Sequence, residues 1–414
     1  MPTERLTLAQ ARERLAARTA GLDPGAQVGD RVREIIERVR SEGDAAVLAL
    51  TRELDTGGAE PWPPRVDPLE LRRAADALPG PLRDGLELAA GNVRTLALAG
   101  VHPDRELDLP EGQRVTMREI PVARAAIYVP GGRAPYPSTV VMGVTAAQAA
   151  GVEQVVVTSP PGPGSETVLG ACALCGVEEV YRMGGAQAVA ALALGTESVP
   201  PVDVVAGPGN LYVQEAKRQL SGVVGIDSFA GPTELVVVLD VEADARLAAL
   251  DLRAQAEHGP DTLLMALSPA DASLDALATH LADVDCLLVD VPDLDAGLEL
   301  AEEVAPEHLQ LMGADAEALA PRVRRAGCVF VGSSSGTAFG DYVAGSNHVL
   351  PTGASARFAS ALGPRTFRRT VAEVHVGEAA SALAPAGAAI ARAEGFEAHA
   401  RSMEARIRDN GRHG

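Results

Sequence analysis

Apolar positions along this chain change their spacing more than once. Between residues 4 and 55 they recur three and four apart, as in Val32, Ile35, Ile36 and Val39 and again in Val47, Leu48 and Leu50, the spacing of one helix face. A break at Pro61-Trp62-Pro63-Pro64 interrupts that pattern, and Trp62, the only tryptophan, reads as the seal of a packed turn. From about Arg124, short apolar runs alternate with helical stretches. Residues 125–129 read as a strand, a helix carries 146–150, and 152–157 are again extended; 168–175 helical, 180–183 extended, 187–193 helical, 202–206 extended and 212–220 helical follow. Strand, helix and strand at this spacing predict βαβ units and a parallel sheet. A second series opens at 234–239, with a helix over 247–258, strands near 262–267, 286–289 and 328–331, and helices near 274–281 and 294–304.

The predicted fold is therefore α/β, with two incomplete Rossmann-like parallel-sheet domains and small helical N- and C-terminal segments. Because the stretch before residue 120 has few strand signals, it is expected to fold with the later series. That gives a helical segment over 1–25, a discontinuous α/β domain from 26–123 and 234–370, an inserted α/β domain over 124–233, and a helical tail over 371–414.

Composition supports this division. A chain of 414 residues is too long for one ordinary core, and abundant Ala, Val, Leu and Gly with few aromatics suits helices packed over strands. A net charge of −20 disfavours nucleic acid and anionic membranes. It could favour a small cationic substrate, or simply keep the protein in solution. Four cysteines, Cys172, Cys175, Cys286 and Cys328, form one C-x-x-C pair without a second, so the pair reads as buried small residues and the usage fits a reducing, cytoplasmic compartment. The N-terminus shows no apolar signal core, and no stretch approaches the roughly 18 apolar residues of a membrane span. Lys217 is the only lysine; it is the single candidate for amine chemistry, or the survivor of a compositional bias toward arginine.

Candidate chemistry gathers around histidine, a residue with only eight copies. Gln255 and His258 stand three apart at a helix end and so share a face, where an amide oxygen and an imidazole could take two positions on a divalent metal, zinc or alternatively Mn, Co or Fe. Packing or capping is the competing reading of that pair. Pro306-Glu307-His308 follows a helix and is expected in a turn, with Glu307 and His308 either dividing acid–base work or bonding locally. Asp341 follows Gly340 in a glycine-rich turn, and His399 lies in the tail; spacing alone assigns neither. Glycine turns at 130–132, 184–185 and 207–209 each follow a predicted strand, a placement that suits a nucleotide but is also routine architecture.

Seven strings in order, Tyr128-Val-Pro-Gly-Gly, Gly184-Gly-Ala-Gln-Ala, Ala206-Gly-Pro-Gly-Asn, Ala230-Gly-Pro-Thr-Glu, Ala254-Gln-Ala-Glu-His-Gly, Ala305-Pro-Glu-His-Leu and Asn347-His-Val-Leu-Pro-Thr, together resemble the histidinol dehydrogenase family. The resemblance implies a zinc-dependent enzyme oxidising L-histidinol through L-histidinal to L-histidine with two NAD. It implies zinc ligands Gln255, His258, Asp341 and His399, and the catalytic pair Glu307 and His308. NAD contacts would fall on Tyr128, Gln187 and Asn210 in the inserted domain. Thr233, His348 and Glu394 would touch substrate together with Gln255, His258, His308, Asp341 and His399. Thr233 stands where many relatives have Ser, which keeps the hydroxyl. The family is a homodimer whose C-terminal segment reaches the partner's site, so Glu394 and His399 are expected to serve either their own site or the neighbour's. Two other readings compete: a thiol-dependent aldehyde dehydrogenase using Cys328 or Cys286, disfavoured by their apolar surroundings, and an inactive metal- or nucleotide-binding protein, disfavoured by the intact Glu307-His308 pair.

Overall fold

The computed structural model describes residues 3–20, 24–59, 64–131 and 134–407. Trp62 and Gly132 lie outside the described residues. In chain order the strands are β1 (Glu4–Thr7), β2 (Arg105–Asp108), β3 (Arg114–Pro121), β4 (Arg124–Tyr128), β5 (Gln154–Ser159), β6 (Val180–Arg182), β7 (Val204–Ala206), β8 (Gly225–Ile226), β9 (Glu234–Leu239), β10 (Leu263–Ser268), β11 (Leu287–Asp290), β12 (His308–Met312), β13 (Cys328–Val331) and β14 (Arg368–His375). The chain divides into two units, Met1–Gly100 with Val122–Phe367, and Val101–Pro121 with Arg368–Gly414.

The larger unit holds two all-parallel sheets, ordered β6-β5-β4-β7-β8 and β1-β11-β10-β9-β12-β13. The fold is α/β with two incomplete Rossmann-like sheets. Their inner strands are apolar on both sides because both sides are covered. In β4, Ala125 and Ile127 face one core while Ala126 and Tyr128 face another. In β9, Val236 and Val238 alternate with Leu235, Val237 and Leu239 in the same manner.

Several elements depart from the sequence expectation. The N-terminal segment opens with a strand, β1, which pairs in parallel with β11 at the sheet edge before the helix Leu8–Ala20 begins. Only Leu6 of its four residues is buried, too little for a period-2 signal. The helices Pro24–Glu42 and Asp44–Leu54 do not join the later series: Val32, Ile35, Ile36, Val39, Val47 and Leu50 share one core with Tyr128, Val189 and Val205 of the five-stranded sheet. An amphipathic helix face states that it needs a partner, not which one.

The smaller unit contains an antiparallel sheet, β14-β3-β2, followed by the helices Ala380–Ala393 and Glu397–Glu404. The tail is thus not wholly helical, since β14 precedes its helices. The strand signal is weak because β2 is exposed throughout and β14 nearly so, which leaves no buried alternation to read. No helix among the described residues is long and apolar enough to cross a membrane.

Candidate active site at the amino edge of the six-stranded sheet

The site grows from three strand starts. Thr233 immediately precedes β9, Glu307 immediately precedes β12, and Gly327 precedes β13. The helix Leu294–Val304 ends on Ala305, a non-glycine residue at φ 48°, and that left-handed cap turns the chain so that Pro306 and Glu307 lead straight into the sheet. Gly327 then packs flat against this turn: its N–H donates to the Pro306 carbonyl at 2.9 Å, and a Cβ there would lie 2.6 Å from the Glu307 carbonyl oxygen. His308 is accordingly the first residue of a central strand rather than part of a turn, a strand too short and too mixed to register beforehand. Asp341 likewise lies in a short helix, Thr337–Tyr342, and the helix carrying Gln255 stops at Ala256, leaving His258 in the turn just after it.

These starts bring the side chains into one connected chain of contacts. Gln255 Nε2 donates to Thr233 Oγ1 at 2.6 Å, and the Thr233 hydroxyl donates to Glu307 Oε2. The same carboxylate oxygen accepts the Glu234 backbone N–H at 3.1 Å and lies 3.6 Å from His308 Nδ1. The other ring nitrogen of His308 is 3.7 Å from Asp341 Oδ1, and Phe330 flanks its ring at a centroid distance of 5.7 Å. His348 continues the chain, with Nδ1 against the Asp341 carbonyl at 2.8 Å and Nε2 against Thr139 Oγ1 at 3.2 Å. His258 has Nδ1 3.2 Å from the Gln255 carbonyl, near enough to His348 for its charge to act there.

Burial sets the electrostatics. It pushes the Glu307 carboxyl up, against the pull of His308, the Thr233 hydroxyl and the Glu234 N–H. It also works against a charged His308, yet the nearby carboxylate of Asp341, with that of Glu307 and the Glu234 carbonyl, outweighs it, so this imidazole is more basic than usual. His348 is lowered by burial. A basic imidazole beside a carboxylate whose proton affinity is raised by burial makes a pair that can pass protons.

Glu394 and His399 belong to the smaller unit, where Glu394 caps the helix Ala380–Ala393 and the His399 ring lies 5.2 Å from that of Phe396. Among the described residues no three His, Cys, Asp or Glu side chains form a metal-holding group.

The nucleotide-type signals lie on the other sheet. Tyr128 ends β4, the Gly184-Gly185 turn precedes the helix Gly185–Leu194, and Asn210 caps the helix Leu211–Leu220 by accepting from Tyr212 and Val213 N–H. Tyr128 Oη accepts the Gly185 N–H at 3.0 Å, and burial pushes its phenol up to about 12, so it keeps its proton. Gln187 is fully buried with Oε1 unpartnered among the described residues, while its Nε2 donates to Asp55 at 3.2 Å.

Sequence reasoning missed two acids. Asp55, at the end of the helix Asp44–Leu54, is pushed up to about 6 by burial, and nothing in its local sequence announces that. Glu234 is pushed up to about 7 by burial and by Glu307; a carboxylate opening the otherwise apolar run Glu234–Leu239 was the available signal. The thiols offer no nucleophile: burial pushes Cys286 up to about 12 and raises Cys328 as well.

Comparison with known proteins agrees over nearly the whole length. The histidinol dehydrogenase family profile matches residues 22–407. A histidinol dehydrogenase of Parasynechococcus marenigrum is 44% identical over 400 residues, covering 92% of this chain and 91% of the relative. One from Ruegeria pomeroyi is 42% identical over 392 residues, covering 90% of each. The crystal structure of histidinol dehydrogenase from Elizabethkingia anophelis superposes with a TM-score of 0.91 at 27% identity, covering 98% of both chains. With two parallel sheets in the same arrangement and the resemblance carried through the whole chain, this protein is a member of the histidinol dehydrogenase family and an oxidoreductase.

Proposed function

We propose that the chain is a zinc-dependent histidinol dehydrogenase that oxidises L-histidinol through L-histidinal to L-histidine with two NAD, at the end of histidine biosynthesis in the cytoplasm. The observation that carries the reading is the unbroken contact chain from Gln255 through Thr233, Glu307, His308 and Asp341 to His348. It supplies a base, a carboxyl and polar groups around one buried point.

In this reading His308 accepts the alcohol proton as hydride leaves the carbinol carbon for the nicotinamide ring. The basicity that Asp341 and Glu307 give the imidazole favours that transfer. Glu307 then draws a proton from water attacking the aldehyde, and Thr233 holds the carboxylate in place through its hydroxyl. His308 would return its first proton to the aldehyde oxygen as the hydrate forms, and so be free to accept a second as the hydrate gives up its second hydride. The buried setting of both residues keeps the aldehyde from escaping into solvent. His348 and Thr233 face the substrate, and in the smaller unit Glu394 does so too.

Gln255, His258, Asp341 and His399 would hold the metal. Two imidazoles, an amide oxygen and a carboxylate form a mixed nitrogen–oxygen donor set suited to zinc. Zinc would supply a fixed anchor for the substrate's imidazole and amine. Tyr128, Gln187 and Asn210 would contact NAD, and the five-stranded sheet would be the cofactor domain; the buried, unpartnered Gln187 Oε1 supports this. A homodimer in which the C-terminal segment completes the partner's site belongs to the same proposal.

The test is NADH formation from L-histidinol, before and after chelation, with metal content measured on the same sample. Two NADH per histidinol, the stoichiometry of a four-electron oxidation, lost on chelation and restored by zinc, is the expected result. No NADH from folded, zinc-loaded protein would overturn it in favour of a binding protein.

A further inference from the structure

The single lysine is not a surface survivor. Lys217 lies in the helix Leu211–Leu220 with none of its surface exposed, its Nζ paired with Asp227 and donating to the Gly207 carbonyl at 2.9 Å. Asp227 in turn accepts the Gly207 N–H at 2.8 Å through its other oxygen. One buried ion pair therefore grips both polar groups of a single residue.

That residue occupies a position with no slack. Gly207 sits at φ 121°, and a Cβ there would overlap the carbonyl oxygen of Tyr128 on the neighbouring strand. It begins the turn that carries Asn210, at the carboxyl ends of β4 and β7 where the strand order reverses. One helical turn from Lys217, Gln214 is buried on the same helix. Its Nε2 donates to the Gly209 carbonyl at 3.3 Å, and its Oε1 accepts the Ala230 N–H at 2.9 Å. Both tethers reach into 227–230, the segment that crosses to the second sheet and delivers Thr233 and Glu234 to the catalytic pair.

A buried ion pair adds little net stability over apolar side chains of similar size, so its presence here calls for another account. A compact ammonium fits a site closed on all sides, where the broad guanidinium of arginine does not. We propose that Lys217, with Asp227 and Gln214, is a positioning residue for the cofactor: it clamps the Gly207–Asn210 turn against Tyr128 and ties it to the segment that carries Thr233. The inference rests on the reading of the five-stranded sheet as the NAD side.

The test uses the whole zinc-loaded chain. Lys217→Met leaves Asp227 unpaired, and Lys217→Met with Asp227→Leu removes both charges. Gln214→Leu removes the second tether alone and decides by the same readouts if the charge variants fail to fold. Folding is checked by thermal unfolding, NAD affinity by direct titration, and kcat and both KM values from turnover of L-histidinol. The expected result is a folded double variant whose NAD affinity falls roughly tenfold to a hundredfold, with kcat at saturating NAD within about threefold of the parent. A folded double variant with parental NAD affinity and KM would reduce the pair to a structural role and overturn the inference. If the parent chain itself binds no NAD, the cofactor reading falls first and takes the clamp with it.

Discussion

The two parallel sheets of the larger unit put opposite edges to use. In the five-stranded sheet, the carboxyl edge between β4 and β7 carries glycine turns and the starts of two helices, the placement at which nucleotides bind in such folds. In the six-stranded sheet, the corresponding crevice between β9 and β12 is plugged. Asp240, directly after β9, accepts the Glu242 N–H at 2.8 Å and the Asp315 N–H at 2.9 Å, and its carboxylate fills the space where Gly313 would carry a Cβ. The contact cluster of Thr233, Glu307 and His308 sits at the amino edge instead. The same architecture thus does not by itself decide where a ligand goes; a single carboxylate at a strand end can close one edge and leave the other to be built upon.

The largest effect expected from breaking this asymmetry is at the amino edge. His308→Gln should lower kcat by roughly a hundredfold to ten-thousandfold, the range of a lost general base, while NAD titration and metal content stay as in the parent. Parental turnover would remove His308 from the proton path. Glu307→Gln should slow the aldehyde half-reaction more than the alcohol half-reaction, by about a hundredfold in the former; stopped-flow traces starting from L-histidinol and from L-histidinal would show whether the two losses differ.

At the plugged edge, Asp240→Ala should cost about 1.5–3 kcal/mol of stability by removing a charged acceptor from the Glu242 and Asp315 N–H groups, with KM values unmoved. A raised KM would mean that this edge takes part in binding after all. At the open edge, the carboxyl of Asp55 sits above its unfolded value. The stability it contributes is present below the unfolded pKa and is lost as pH rises through about 6. Asp55→Asn should therefore gain on the parent by about 2–3 kcal/mol between pH 4 and 7 in urea titrations, and a difference that stays flat with pH would contradict the burial account. Smallest of all, Cys328→Ser should leave turnover within about twofold, since burial already holds that thiol protonated.

What the sequence made legible follows burial. β9 and the helix Leu294–Val304 match their predicted bounds because a continuous apolar run and a clean amphipathic face leave little choice. β1, β2 and β14 escaped because their side chains are mostly in solvent, and β12 because it is short and opens on a histidine with a glutamine in its middle. At the site, Gln255 and His258 were visible through helical spacing. Asp341 and His348 were assigned only through family resemblance, since residues 308 and 341 meet through a fold and not through a period. Lys217 misled for the opposite reason: its composition looked incidental, and only its burial gives it meaning.

The short strand β1 also bears on how the protein is made. It pairs with β11, so residues 4–7 must meet residues 287–290. During synthesis β1 cannot find its neighbour until residue 290 has been made, whereas β4 to β8 and the helices between them can begin to assemble once residue 226 is free. The newborn chain then carries a five-stranded sheet, one face still awaiting Val349, Leu362 and Phe367, ahead of an unfinished six-stranded one, with residues 4–7 waiting to dock at the far edge. The order of synthesis and the order of assembly run in opposite directions at that seam.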